Sequence, residues 1–435
     1  MMNGYGMDTD FSKKQDFHQK SYSLSFIFLC FFTVSYFFSP LFYLGASYAR
    51  LPMILISLTL LFHLVSCIIK RKKFFYLNIS IIILTLFVIF GAYSTYFESV
   101  DFYRSKDHFV TLLKIFILYV VISSIIATKR ELKFYLLLLN VCIFTVAYRL
   151  LYFGYWTGGR VFMEGTAFSG DPNILTMAFV FIIPINIALL LLFRNLSLRL
   201  LLLFFLFIIF LAIIEGRSRG GFIALLILAF FGIFQIKGLN KKIIFTIVTF
   251  LLVGVFSARY VPPVYIDRMK QIVHTEDDHT GSAQARASAM SVTLEYVKLN
   301  PVSKYGLGNH SYHLAEVYGT NIENQDIFRG SYLVHNVFLQ IGADMGALPL
   351  VIYIFFLYSV FRNLSVAIKQ SSLVLKNEKG GYDQYIIAKT LRMSLLALLT
   401  AMFFLASAFQ PFLYILCGCI GANERLSAVA KDQTS

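Results

Sequence analysis

The chain has 435 residues, 58% of them hydrophobic and 14% charged, with a formal net charge of +15. Soluble domains average roughly 45–50% apolar and about 25% charged residues, and here apolar runs long enough to cross about 30 Å of hydrocarbon recur from end to end. A soluble fold is excluded, and the basic surplus sits in short loops where it marks topology and needs no nucleic-acid partner.

Residues 1–21 are polar, with Lys13, Lys14 and Lys20, and the first apolar run is too long for the core of a cleavable leader. About twelve membrane spans are expected, at 22–43, 52–69, 75–95, 108–127, 134–153, 173–193, 197–214, 220–236, 243–258, 337–361, 389–408 and 410–422. The connections "KRKK" (70–73), "KRELK" (129–133), "RNLSLR" (194–199), "KGLNKK" (237–242) and the 362–388 loop all fall on one side of this arrangement. Lysine and arginine favour cytoplasmic loops, which places both termini inside. The expected fold is an all-α polytopic membrane domain over residues 1–435.

Within the spans, His63 reads as a packed polar residue, and Lys114 and Arg149 as groups that snorkel to the nearer interface. The five cysteines all lie in spans, so no disulfide framework is expected. "CGC" at 417–419 is no metal pair, because i and i+2 do not share a helix face.

The loop "GYWTGGRVFMEGTAFSGDPN" (154–173) is glycine-rich and ends in a helix start, with Asp171 or Asn173 as cap and Pro172 in the first turn. Residues 197–236 then form one nearly continuous apolar block. As a single helix it would measure about 60 Å, twice the hydrocarbon thickness. It must fold as two helices, broken at the charges of "IIEGRSRGGFIALL" (213–226). An arginine held mid-membrane costs about 2.5–3.5 kcal/mol on insertion scales, so the break belongs at a membrane surface, and the alternation of the basic loops makes that the outer face. Arg217 and Arg219 can anchor there by snorkelling. Alternatively they bind an anion, aided by Gly220 and Gly221, which allow close approach at a helix N-terminus.

The longest polar segment, 259–336, follows the ninth span on the outer side. It reads as a loop, a helix led by Arg286 and closed before Pro301, and the glycine-rich "YGLGNHSY" (305–312). Outward cations also include Arg50, Arg104, Arg160, Arg259, Arg268 and Arg329, each solvated by default. "HTEDDH" (274–279), with His310 or His313 in support, has the residue types of a metal site, although hydrated acidic loops are commoner. The tenth span opens with His335, and Asn336 is placed to cap it. A histidine at a helix N-terminus favours its neutral form, which can serve as general base; an interfacial or capping role is the plainer alternative.

The ordered set resembles the bacterial O-antigen ligase and O-antigen polymerase superfamily. Its elements are "SRGG" at an outward tip, "FSGDPN" (168–173), an arginine-led helix ending in "NPVSKYGLGN", and "HN" separated by nine residues from a glycine. The resemblance implies a metal-independent, inverting glycosyltransferase of the GT-C class with no cofactor, in the bacterial inner membrane. Its donor would be a glycan on undecaprenyl diphosphate, and its acceptor lipid A–core or a second lipid-linked glycan, among membrane lipids at the periplasmic face. Residue by residue, Arg219 and Arg286 would hold the diphosphate with Arg217 nearby, and His335 would activate the acceptor. Arg50 matches by location alone, and Asn336, Gly220 and Gly221 would support the site. Pro349 after the glycine and Met290 after the loop arginine depart from the ligase pattern and blur ligase against polymerase. A transporter of the same lipids would instead call for ionisable groups along a mid-membrane path.

Overall fold

The computed structural model describes residues 22–38, 51–71, 73–157, 160–163, 171–235, 282–317, 334–377, 381–405 and 407–432. Helices carry almost all of them. They are α1 (Leu24–Phe38), α2 (Leu51–Ile69), α3 (Ile79–Phe97), α4 (Phe102–Ile125) and α5 (Lys129–Phe153), then the hairpin β1 (Tyr155–Thr157) and β2 (Arg160–Phe162). There follow α6 (Pro172–Leu192), α7 (Leu196–Gly216), α8 (Arg219–Gln235), α9 (Ser282–Leu299), α10 (His310–Val317), α11 (Val337–Met345), α12 (Ala347–Asn377), α13 (Gly381–Met402) and α14 (Pro411–Asp432). Among the described residues, eight helices are long and apolar enough to cross a bilayer, and α1 and α8 are shorter apolar helices. The protein is a multi-pass membrane protein. The expected span 243–258 lies outside the described residues.

Helices α6, α12, α13 and α14 form the centre, with α6 on α13, α13 on α12, and α14 on both α12 and α4. Hydrocarbon offers no water for stray polar groups, so polar side chains inside such a bundle bond across helices. Asn186 on α6 donates to Asn140 on α5 (3.2 Å) and to the Leu202 carbonyl on α7 (3.1 Å). Thr33 on α1 meets Tyr135 on α5 at 3.0 Å. His63 bonds the Phe74 carbonyl oxygen at 2.7 Å, as befits a packed polar residue.

The loops gather at two opposite ends. At the basic end, Lys133 pairs with Asp383, Tyr76 N–H donates to Ser124, and Glu424 accepts from Asn78 and Asn363. At the other end, here called the tip end, the Val100 N–H donates to the Tyr305 carbonyl and Ser218 to Asn173. This sorting agrees with the alternation read from the basic loops.

Three local expectations need revision. The apolar stretch 337–361 is not one helix: α11 ends at Met345, and Gly346 adopts φ +103°, beyond the reach of an ordinary L residue. The break is held by the 300–303 segment, whose Asn300 and Pro301 carbonyls accept from the Ala347 and Leu348 N–H groups. Both ends of α11 thus stay at the tip end, and α12 makes the crossing. Second, α12 and α13 extend well into the polar 362–388 stretch, because charged residues continue a helix beyond the hydrocarbon. Third, Arg149 does not snorkel. It is buried, and its Nη1 donates to the Phe38 carbonyl at the end of α1.

Candidate functional site

The tip between α7 and α8 is built from tightly placed backbone. Helix α7 ends on Arg217 in the left-handed conformation (φ 45°, ψ 38°), which turns the chain at once into α8. Ser218 then caps α8, its hydroxyl accepting from the Gly221 N–H at 3.2 Å and donating to Asn173 Oδ1 at 2.9 Å. Asn173 stands in the first turn of α6, where Asp171 caps and Pro172 begins the helix, as the sequence predicts. Any Cβ at Gly221 would collide with Thr176 of α6, so glycine is what lets the two helices approach. Arg219 is the first residue of α8. The helix dipole opposes a cation there and favours an anion, so helix stability is no reason for its presence.

Arg217 and Arg219 part company in the structure. Arg217 is 8% exposed, with its guanidinium over the indole of Trp156 at 4.4 Å from the ring centroid. Arg219 is half-buried.

His335 lies in the turn before α11, also at positive φ (49°). Left-handed backbone costs a non-glycine residue about 1–3 kcal/mol and persists where its surroundings enforce it. Arg71, Arg217 and His335 are the non-glycine residues with positive φ among the described residues, so two of the three belong to the candidate site. Asn336 caps α11 as expected, its Oδ1 accepting from the Phe338 and Leu339 N–H groups. Its Nδ2 also donates to the Phe403 carbonyl at 3.0 Å.

Arg286 arrives on α9. Its position continues the stripe of Ala289, Thr293 and Val297, whose side chains are buried. Ala289 and Leu314 pack against Val334, with Met290 beside them, while Val297 faces Gly342. Helices α9 and α11 therefore run alongside in one direction, and Arg286, a turn before Ala289, lies at the His335 end of the pair.

The 403–404 segment after α13 joins these pieces. It takes the Asn336 hydrogen bond on one side. On the other, Phe404 Cβ lies 2.9 Å from where a Cβ at Gly220 would stand. The structure thus brings the Arg217–Gly221 tip, the Arg286 helix and the His335–Asn336 turn to one end of the bundle. Arg50 and "HTEDDH" lie outside the described residues.

Sequence reading missed a neighbouring polar cluster. Asp344, fully buried on α11, accepts from the His310 N–H (2.7 Å), and its Oδ1 lies 3.1 Å from His310 Nδ1. Tyr312 donates to Asp101 at 3.2 Å, and burial together with that carboxylate raises its phenol above the ordinary range. A lone aspartate within "LQIGADMG" was the available signal. Among the described residues no group of three or more His, Cys, Asp or Glu side chains is placed to hold a metal.

Residues 203–354 match the family model described as O-antigen ligase. Over that stretch the chain is similar to the O-antigen ligase family. No curated protein matched the chain. The matched stretch runs from α7 into α12 and contains Arg217, Arg219, Arg286 and His335, whereas Trp156 and Arg50 lie outside it. That similarity supports a glycosyltransferase-like activity of ligase or polymerase type on lipid-linked glycans in general.

Proposed function

We propose that the protein is an O-antigen ligase-type glycosyltransferase that moves a glycan from undecaprenyl diphosphate to lipid A–core oligosaccharide. On this reading it is a twelve-span GT-C enzyme of the bacterial inner membrane, with both termini cytoplasmic and the tip end facing the periplasm. The observation that carries the proposal is that the Arg217–Gly221 tip and the His335–Asn336 turn both abut residues 403–404, with the Arg286 helix packed beside that turn through Ala289 and Val334, and that all three elements fall within residues 203–354.

The chemistry follows from the charges. Cleaving the bond between the sugar's anomeric carbon and the diphosphate develops negative charge on the leaving phosphate oxygens. Arg219 and Arg286, offering planar donor forks at a helix N-terminus and beside it, would stabilise that charge as it forms. Arg217 adds positive potential from beneath Trp156, and Arg50 is assigned to the same task. His335 would accept the proton of the attacking hydroxyl, so that attack opposite the leaving group inverts the anomeric centre. Arginines then do the work that a divalent metal does in other transferases, and transfer should survive chelation.

The alternative is a polymerase that joins one lipid-linked repeat to another; Pro349 and Met290 depart from the ligase pattern and blur the two. The deletion phenotype on a lipopolysaccharide gel separates the two. Loss of a ligase leaves bare core and accumulates lipid-linked polymer; loss of a polymerase leaves core bearing a single repeat. An unchanged ladder would refute both.

A further inference from the structure

We propose that Trp156 is a sugar-binding residue of this site, stacking on the glycan residue next to the diphosphate; this inference rests on the transferase reading above. Strands β1 and β2 pair antiparallel with Trp156 opposite Val161 and Tyr155 opposite Phe162. Directly paired residues share one face of a hairpin, and successive residues alternate faces. Val161 is buried in the bundle core, and β2 packs on α6 and α7, so the Val161–Trp156 face is the inner one. Tyr155 and Phe162 stack on each other on the outer face at 6.1 Å.

An interfacial anchor would occupy the outer face, where aromatic belts meet headgroups. Trp156 instead turns inward, laying one side of its ring on the Arg217 guanidinium at 4.4 Å. Yet 54% of the residue is exposed. One side of the indole is covered by Arg217, and the rest of the ring stays open beside this tip residue. Arg217 is joined through Ser218 to Arg219, so an aromatic platform stands beside the groups assigned to the diphosphate. A sugar attached to that diphosphate presents its C–H face within reach of such a platform, the arrangement by which mostly apolar aromatic walls orient a polar ligand. The hairpin would thereby read the first sugar while the arginines read the phosphates.

Trp156 is the single tryptophan of the chain, so its emission reports on this position alone. The experiment uses full-length protein in nanodiscs and two probes: undecaprenyl diphosphate, and lipid-linked glycans extracted from cells deleted for the gene. Native mass spectrometry follows binding of each. The glycan-bearing lipid is expected to quench or shift the Trp156 emission, and the bare lipid to leave it near its starting value. Trp156→Ala should weaken binding of the glycan-bearing lipid roughly three- to tenfold, the range of a well-formed aromatic contact, without weakening the bare lipid. Trp156→Phe, which keeps a ring over Arg217, should recover most of the loss and guards against misfolding of the alanine variant. Equal weakening of both lipids, or an emission unmoved by a glycan lipid that binds, would overturn the sugar contact and leave a membrane anchor or a prop for Arg217. If neither lipid binds the wild-type protein, the transferase reading itself fails and this inference with it.

Discussion

At the basic end of the bundle, Glu424 accepts from the side-chain amides of Asn78 and Asn363, and Arg425 donates to the Ser124 and Ile126 carbonyls. Glu131 closes a capping box with Thr128. Glu424 and Arg425 are held by distant parts of the same chain and Glu131 by the start of its own helix; each secures a helix end. At the tip end, the backbone is bent into left-handed geometry at Arg217 and His335, glycines admit close contacts at positions 220 and 221, and arginine occupies a helix N-terminus. Arg71 apart, which also has positive φ, the basic end places its polar residues where they lower the energy of the fold. The other places them against local preference, which is the signature of a site whose geometry serves something besides stability.

The most severe break of this contrast is expected at His335. His335→Ala should lower transfer by 10²- to 10⁴-fold, on the order of a lost general base, with binding of undecaprenyl diphosphate retained. His335→Gly should be equally inactive and melt no lower than the wild type, because glycine adopts positive φ without strain. Turnover near normal in the alanine variant would remove the base role, and a marked fall in melting temperature for the glycine variant would remove the strain argument.

Next in size are Arg219→Ala and Arg286→Ala, each expected to cut transfer about 10²- to 10³-fold, comparable to the loss of one transition-state donor. Lysine at either position should restore only part of the rate, since an ammonium lacks the planar fork. Rates are to be measured with the extracted lipid-linked glycans, per mole of folded protein. Wild-type turnover in both alanine variants would dissolve the diphosphate assignment.

The opposite end should behave in the opposite manner. Arg425→Ala removes two charge-assisted hydrogen bonds to helix-end carbonyls and should destabilise the protein by about 1.5–3 kcal/mol. Turnover per folded molecule should stay that of the wild type. A thermal unfolding series in detergent, paired with transfer rates, checks both halves. A specific loss of turnover without loss of stability would mean that the two ends are coupled and the contrast drawn too sharply.

Much of the fold was legible because membranes make charge expensive. The helix now spanning Pro172–Leu192 was expected at 173–193, and Leu196–Gly216 at 197–214, since hydropathy and basic loops fix where the chain leaves hydrocarbon. The fracture at Gly346 was not legible: an apolar run reads alike whether it crosses the bilayer or lies along one side. Only the carbonyls of Asn300 and Pro301, far back in sequence, explain the break. The site divides similarly. Arg217 and Arg219 stood out as costly charges at span ends and His335 as a polar residue at a span start, but the Trp156–Arg217 stack and the Asp344–His310 pair each join segments remote in sequence, and no local pattern announces them.

The smallest expected effect tests how the pieces of the site are held in register. Asn336 makes two kinds of bond, a cap on α11 through its oxygen and a link to the Phe403 carbonyl through its nitrogen. Asn336→Ser keeps a capping oxygen, which serves nearly as well, but loses the nitrogen that reaches Phe403. The stability change should therefore be below about 1 kcal/mol, the net worth of one ordinary hydrogen bond. Because Phe404 lies against Gly220, loosening this segment should still let the His335 turn drift relative to the arginine tip, and misplacement near 1 Å can cost far more in rate than in stability. A several-fold drop in kcat with an unchanged melting temperature is the expected result. Were the serine variant to lose stability and activity in proportion, the 403–404 segment would be a structural brace of the same kind as the Glu424 network, and the distinction between the two ends would reduce to the arginines and His335 alone.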